Sequence, residues 1–174
     1  MTIDLLSPLT TATAPADPAA YWSAMTAAVA DVSAPAAAIS LAALRRNALD
    51  LVVRAGGLPV RVATKSVRVR EVIEATLAIP GFAGVMAYSL AEALWLAEAI
   101  DDVLVGYPTA DRAAIAALAA DPVAASRVTL MVDDIAQLDL VDAVAAPGRR
   151  ATVRVAIDAD ASWRTGALSI ANAP

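Results

Sequence analysis

The sequence contains no cysteine and no histidine. That excludes disulfide scaffolds, cysteine nucleophiles, Cys/His zinc sites, Ser-His-Asp triads and haem held by histidine. Aromatic residues make up 4% of the chain and charged residues 18%. The net charge is −5, which argues against a basic groove for nucleic acid. Neither a G-x-G-x-x-G fingerprint nor a P-loop occurs, so a nucleotide-binding site lacks its usual mark. The longest uncharged run, Ala75 to Ala91, holds Pro80, Gly81 and Gly84. It is shorter than the ~20 residues of a membrane-spanning helix. Met1 to Ala20 carries Asp4 and Asp17 and no basic residue, unlike a secretory leader. No membrane span and a cytoplasmic location are therefore expected.

Lysine is nearly absent too. Thirteen residues are Lys or Arg, and Lys65 is the single lysine. An Ala- and Arg-rich composition points to a coding bias that writes surface cations as arginine. A lysine that survives it asks for a chemical reason. A primary amine can condense with a carbonyl; a guanidinium cannot. The plain alternative is a lysine without a special role, and the count alone favours neither.

What is present is an apolar chain of one-domain length. Hydrophobic residues reach 59% of 174 residues, enough for a buried core. The length is short of the ~250 residues of a complete (β/α)8 barrel. Met1 to Asp17 reads as an extended arm, and a helix is expected from Pro18 to Ala30, with Tyr21, Trp22 and Met25 as packing residues. Ala36 to Ser40 is a short strand or a lead-in. A helix over Leu41 to Ala55 stops at Gly56-Gly57.

From there a pattern repeats. Strands are expected at Leu58–Thr64, Ala83–Tyr88, Asp102–Tyr107, Arg127–Val132 and Ala151–Ile157. Helices are expected between them at Val67–Leu77, Ser89–Ile100, Ala110–Ala120 and Asp134–Ala145. Ser89 and Glu92 have the spacing of a capping box. The alternation is that of βαβ units in a parallel sheet, and the apolar strands predict cover on both faces. Two α/β architectures fit: a doubly wound five-strand sheet, or the first part of a barrel.

In the first of these strands, Arg61, Ala63 and Lys65 share one face and Val60, Val62 and Thr64 the other. In both architectures the active site lies at the C-terminal ends of the strands. Lys65 closes its strand there, with Arg61 and Arg68 close in sequence. Partial desolvation and those two cations would favour its neutral, nucleophilic amine. A second polar cluster ends the last strand: Asp158, Asp160, Ser162, Trp163 and Arg164. Asp101-Asp102 precedes a strand, at the wrong end for catalysis, and is expected to be solvated. Asp133-Asp134 follows a strand and holds a helix N-cap. No ligand spacing supports a metal site.

Five segments, in order, resemble one family. Arg61-Val-Ala-Thr-Lys65-Ser66 resembles the R-P-H-x-K-T segment of D-threonine aldolases and D-serine dehydratases. It is similar, more loosely, to the V-x-K-A-N segment of alanine racemases. Ala87-Tyr-Ser-Leu-Ala-Glu92-Ala93 is similar to A-T-x-x-E-A, and Asp101-Asp-Val-Leu-Val-Gly-Tyr-Pro108 to D-D-I-L-x-x-Y-P. Val132-Asp133-Asp-Ile-Ala-Gln137 looks like V-D-S-x-x-Q, and Ile157 to Gly166 like I-D-x-G-x-x-R-x-G. These are the fold-type III pyridoxal-phosphate enzymes, and the overall likeness is to their amino acid deaminase/aldolase members.

The resemblance implies an incomplete (β/α)8, TIM-type barrel of about five parallel strands. Residues 1–34 would form an arm and helix, 35–166 the partial barrel, and 167–174 a tail without the likeness. It implies pyridoxal 5'-phosphate as cofactor, Lys65 as the catalytic Schiff-base lysine, and Arg164 near the cofactor's phenolic oxygen. Arg61, which opens the lysine motif, is grouped with them as cofactor-binding. The substrate would be a small amino acid, and the bond broken at its Cα decides between aldolase, deaminase and racemase.

Two departures stand out. Ala63 replaces the motif's histidine, and the His, Cys and Asp metal ligands of the aldolase branch have no His or Cys counterpart here. Family members also continue for another half, so a truncated chain is expected. Open barrel edges would favour association, homodimers included. The alternative from another class is a non-catalytic remnant or a small binding module.

Overall fold

A computed structural model describes residues 3–7 and 17–159. Seven helices and five strands are found among them. They are α1 (Pro18–Ala27), α2 (Leu41–Arg54), β1 (Val60–Ala63), α3 (Arg70–Leu77), β2 (Phe82–Ala87) and α4 (Leu90–Leu96). Then follow β3 (Val103–Val105), α5 (Arg112–Ala120), α6 (Pro122–Arg127), β4 (Val128–Val132), α7 (Ile135–Val144) and β5 (Arg154–Ile157).

The strands form one parallel sheet in the order β1-β2-β3-β4-β5. That order decides between the two architectures. Parallel crossovers are right-handed, so a sheet whose strands follow in sequence carries all its connecting helices on one side. A doubly wound sheet reverses its order once and has helices on both sides. The sheet is therefore barrel-type and, among the described residues, unclosed.

Burial follows that one-sided arrangement. Val62, Val85, Ala87, Val103, Val105, Val128, Leu130 and Val132 alternate along their strands and are buried. All but Val132 pack with Ile73, Leu90, Leu96, Ile115, Leu118 and Val141 of the helices in one core. Ala63, Met86, Leu104, Met131 and Ala156 face the other way and are half-buried. The expected cover on both faces is thus found on one face only. A second, smaller cluster holds Leu5, Ala48, Ala75 and Ile79. There Arg45 Nε donates to the Leu5 carbonyl at 3.0 Å, which ties residues 3–7 to α2.

Of the two alternatives for Ala36 to Ser40, the lead-in holds: Ser40 is the N-cap of α2, its Oγ accepting from Ala43 N. Other local expectations need correction. Trp22 meets the Tyr21 ring edge to face at 5.2 Å but is 64% exposed, and no residue of α1 is buried. Helix α6 is an addition to the expected elements, although its signal is local. Asp121 Oδ1 accepts from the amides of Val123 and Ala124 at 2.8 and 3.1 Å, and Pro122 takes the first helical position, where its missing N–H costs nothing.

Leu118 of α5 is fully buried in the main core. Leu118→Ala is expected to cost about 2–5 kcal/mol through lost transfer and a residual cavity. Urea unfolding followed by circular dichroism measures it, and an unchanged midpoint would refute this account of the core.

Candidate functional site

The C-terminal rim of the sheet is built from residues that closely follow their strands. Lys65 comes after β1, Tyr88 after β2, and Tyr107 after β3. Lys65 Nζ donates to Tyr107 Oη at 3.4 Å and lies 6.0 Å from the centre of that ring. The rings of Tyr88 and Tyr107 meet edge to face, 5.3 Å apart. Arg68, in the loop that enters α3, stands 5.9 Å over the Tyr88 ring. One amine, one guanidinium and two phenol rings therefore share this rim. Lys65 is exposed, because it extends the face that no helix covers, so the expected desolvation is absent.

Beneath the rim Glu92 makes two contacts. Its Oε2 accepts from the Thr64 hydroxyl at 2.9 Å and from the Tyr88 amide at 2.8 Å. Ser89 does cap α4, accepting from Glu92 N. The carboxylate, however, goes to Tyr88 N rather than back to Ser89 N, so the expected capping box closes one residue early.

Arg61 is brought elsewhere. It precedes Lys65 by four residues, roughly 13 Å along an extended strand. Its Nη2 pairs with Asp102 Oδ2 at 2.7 Å, at the N-terminal end of the sheet. Strand β2 lies between the two partners, and Gly84 is where the arginine crosses it. The β1–β2 register shifts between Val60 and Val62, and Gly84 has a φ of +72°. A Cβ there would fall 2.6 Å from the Asp102 carbonyl and against the Arg61 guanidinium. Asp101 pairs with Arg127 at 2.9 Å. Asp101 is exposed and Asp102 partly so, as expected, and the two also form ion pairs at the end opposite Lys65. A hollow of about 400 Å³ lined by Glu74, Phe82, Gly84 and Asp102 lies at that end too, away from the amine.

The remaining candidates separate. Asp134 caps α7 through Ala136 N at 2.8 Å. Asp133 exchanges two hydrogen bonds with Gln137. Asp158 follows β5 and is exposed, its amide donating to the Val132 carbonyl at 2.8 Å. Asp160, Ser162, Trp163 and Arg164 lie outside the described residues. Among the described residues, no group of three or more acidic side chains is placed to hold a metal ion. No helix among them is long and apolar enough to cross a membrane. In the sequence, Tyr88, Tyr107 and Glu92 stand out only as members of motifs. A signal exists for the tyrosines, since each falls within two residues of the end of a strand.

Strand order, parallel pairing and one-sided helices define the class: a (β/α)8-type barrel domain, of which five strands are described. Residues 39–174 match the family of the alanine racemase N-terminal domain, and the chain belongs to it. This is the barrel domain of the fold-type III pyridoxal-phosphate enzymes. The match runs past Gly166, where the likeness of motifs ends. Among solved structures, the chain is similar to D-threonine aldolase from Filomicrobium marinum, with 27% identity and a TM-score of 0.63. The similarity covers 74% of this chain and 35% of the aldolase, so this chain spans about a third of that relative. No curated protein matches the sequence.

The crossing at Gly84 can be tested without touching the rim. Gly84→Ala forces a positive φ on a residue with a Cβ and blocks the arginine's path. A loss of about 1–3 kcal/mol is expected, read as a lower urea midpoint. A midpoint equal to that of the native chain would mean the crossing needs no glycine.

Proposed function

We propose that this chain is the barrel portion of a pyridoxal-phosphate enzyme that transforms small amino acids, of the aldolase, deaminase or racemase type. One observation carries the reading. The single lysine stands where β1 ends, on the open face of the sheet, in a member of the alanine racemase N-terminal domain family. The solved relative is a D-threonine aldolase, which supports amino-acid chemistry.

The residues at the rim fit such a cofactor. Lys65 offers an accessible primary amine, the group an aldehyde requires. Tyr107 Oη accepts a hydrogen bond from Lys65 Nζ and so orients it. Tyr88 walls the same space with its ring. When bound, the cofactor supplies an electron-withdrawing ring that weakens the bonds at a substrate's Cα. With such a cofactor held there, Lys65 would be placed to take or return a proton at Nζ. Arg164 enters by resemblance as the residue near the cofactor's phenolic oxygen. Arg61 is left to the support of the sheet, since its guanidinium is engaged by Asp102. The expected cytoplasmic location is kept as part of this reading.

A second reading has its own observation. Both β1 and β5 have a free edge in the described sheet, and Val155 and Ile157 of β5 are 46% and 80% exposed. Unpaired edges of this kind recruit further strands, which favours an association module, homodimeric or otherwise. Sedimentation over a range of concentrations, with no cofactor uptake, would support it.

Borohydride reduction in the presence of pyridoxal phosphate, followed by peptide mapping, tests the first reading. The chain offers two amines, Lys65 and the Met1 α-amine. Preferential label at Lys65, lost in Lys65→Ala, is the expected result. Slow and equal label at both amines would overturn it.

A further inference from the structure

Thr64 is fully buried, and a buried hydroxyl must find a partner or forfeit its hydration. Its Oγ1 lies 2.9 Å from Glu92 Oε2 and 3.3 Å from the Met86 carbonyl. Its amide donates to Met86 O at 3.0 Å. The same Glu92 oxygen takes the Tyr88 amide at 2.8 Å. One carboxylate on the first turn of α4 therefore clamps the last residue before Lys65 to the first residue after β2. Hydrogen bonds to an ionised acceptor are stronger than neutral ones, and the one from Thr64 is partly buried. Lys65 itself is exposed and has no burial to hold it. It leaves the backbone next to Thr64 and reaches Tyr107, whose hydroxyl accepts from it.

We propose that Glu92 is a positioning residue for Lys65. Through the Thr64 hydroxyl it fixes the end of β1 from which the amine projects. Through the Tyr88 amide it fixes the aromatic wall beside that amine. The purpose of this role rests on the reading of Lys65 as the cofactor amine, so the test keeps the two apart.

The single lysine makes a clean reporter. Reductive methylation with 13C-formaldehyde marks Lys65 and the Met1 α-amine alone, and the lysine signal senses the Tyr107 ring without any cofactor. In the native chain this signal is expected away from that of free dimethyl-lysine. Thr64→Val, which keeps the shape and removes the hydroxyl, and Glu92→Ala should both move it to the free position. Thr64→Ser should restore the native position. Thr64→Val should add nothing to Glu92→Ala in the double variant, since Glu92→Ala already removes the contact the two share.

In parallel, the ratio of Lys65 to Met1 labelling by pyridoxal phosphate and borohydride should fall about tenfold or more, the scale of a displaced reacting group. If Glu92→Ala fails to fold, Thr64→Val decides alone. A native signal position in folded Thr64→Val overturns the proposal. A signal that moves as expected, in a chain whose native Lys65 shows no preferential label, overturns the cofactor reading and leaves Glu92 as the positioning residue.

Discussion

Alternate residues of the first four parallel strands bury themselves against a single layer of helices, and the rest of the molecule depends on that contact. Val62, Val85, Val103, Val105, Val128 and Leu130 are the strand half of it. Because the side-chain period of a strand is two, committing these residues to the helices commits their neighbours to the opposite face. Ala63, Met86, Leu104, Met131 and Ala156 are on that face by consequence. Lys65 continues their row at the rim. The position of the amine is thus a by-product of where the valines go.

The two ends of the sheet do different things. At the N-terminal end, opposite charges link separate elements: Arg61 with Asp102 across β2, and Arg127 with Asp101. These pairs are partly exposed, and such pairs are worth little each; they align elements rather than hold them. At the C-terminal end the polar groups are arranged around an amine. Glu92 ties β1 to β2 from below, and Tyr88 and Tyr107 meet above. Barrel domains in general carry their sites at the C-terminal end of the strands, the end at which Lys65 stands.

Much of this is legible in the sequence. The alternation of strand and helix, the parallel sheet and the approximate bounds of most elements follow from apolar runs, helix stops and caps. The barrel is what the resemblance carried by five ordered motifs implies. Where sequence and structure part, the reasons are physical. Trp22 lies on a helix that buries nothing, so its apolar character misleads. Helix α6 is too short for a period to show, and only its Asp121-Pro122 start marks it. The apolar strands imply cover on both faces, but a barrel's inner face is apolar for its own closure.

The sequence by itself determined the chemical inventory and its order along the chain: one lysine, no thiol, no imidazole, and five strand ends to carry a site. These follow from composition and from local periodicity, which need no partner in space. Tertiary structure alone decided which of those groups meet. Arg61 and Lys65 are near neighbours in sequence yet serve opposite ends, because an extended strand separates them by its full length. Lys65 and Tyr107, Thr64 and Glu92, and Arg61 and Asp102 are distant in sequence yet touch. Parallel pairing and the register shift opposite Gly84 join them, and register is a property of two strands together.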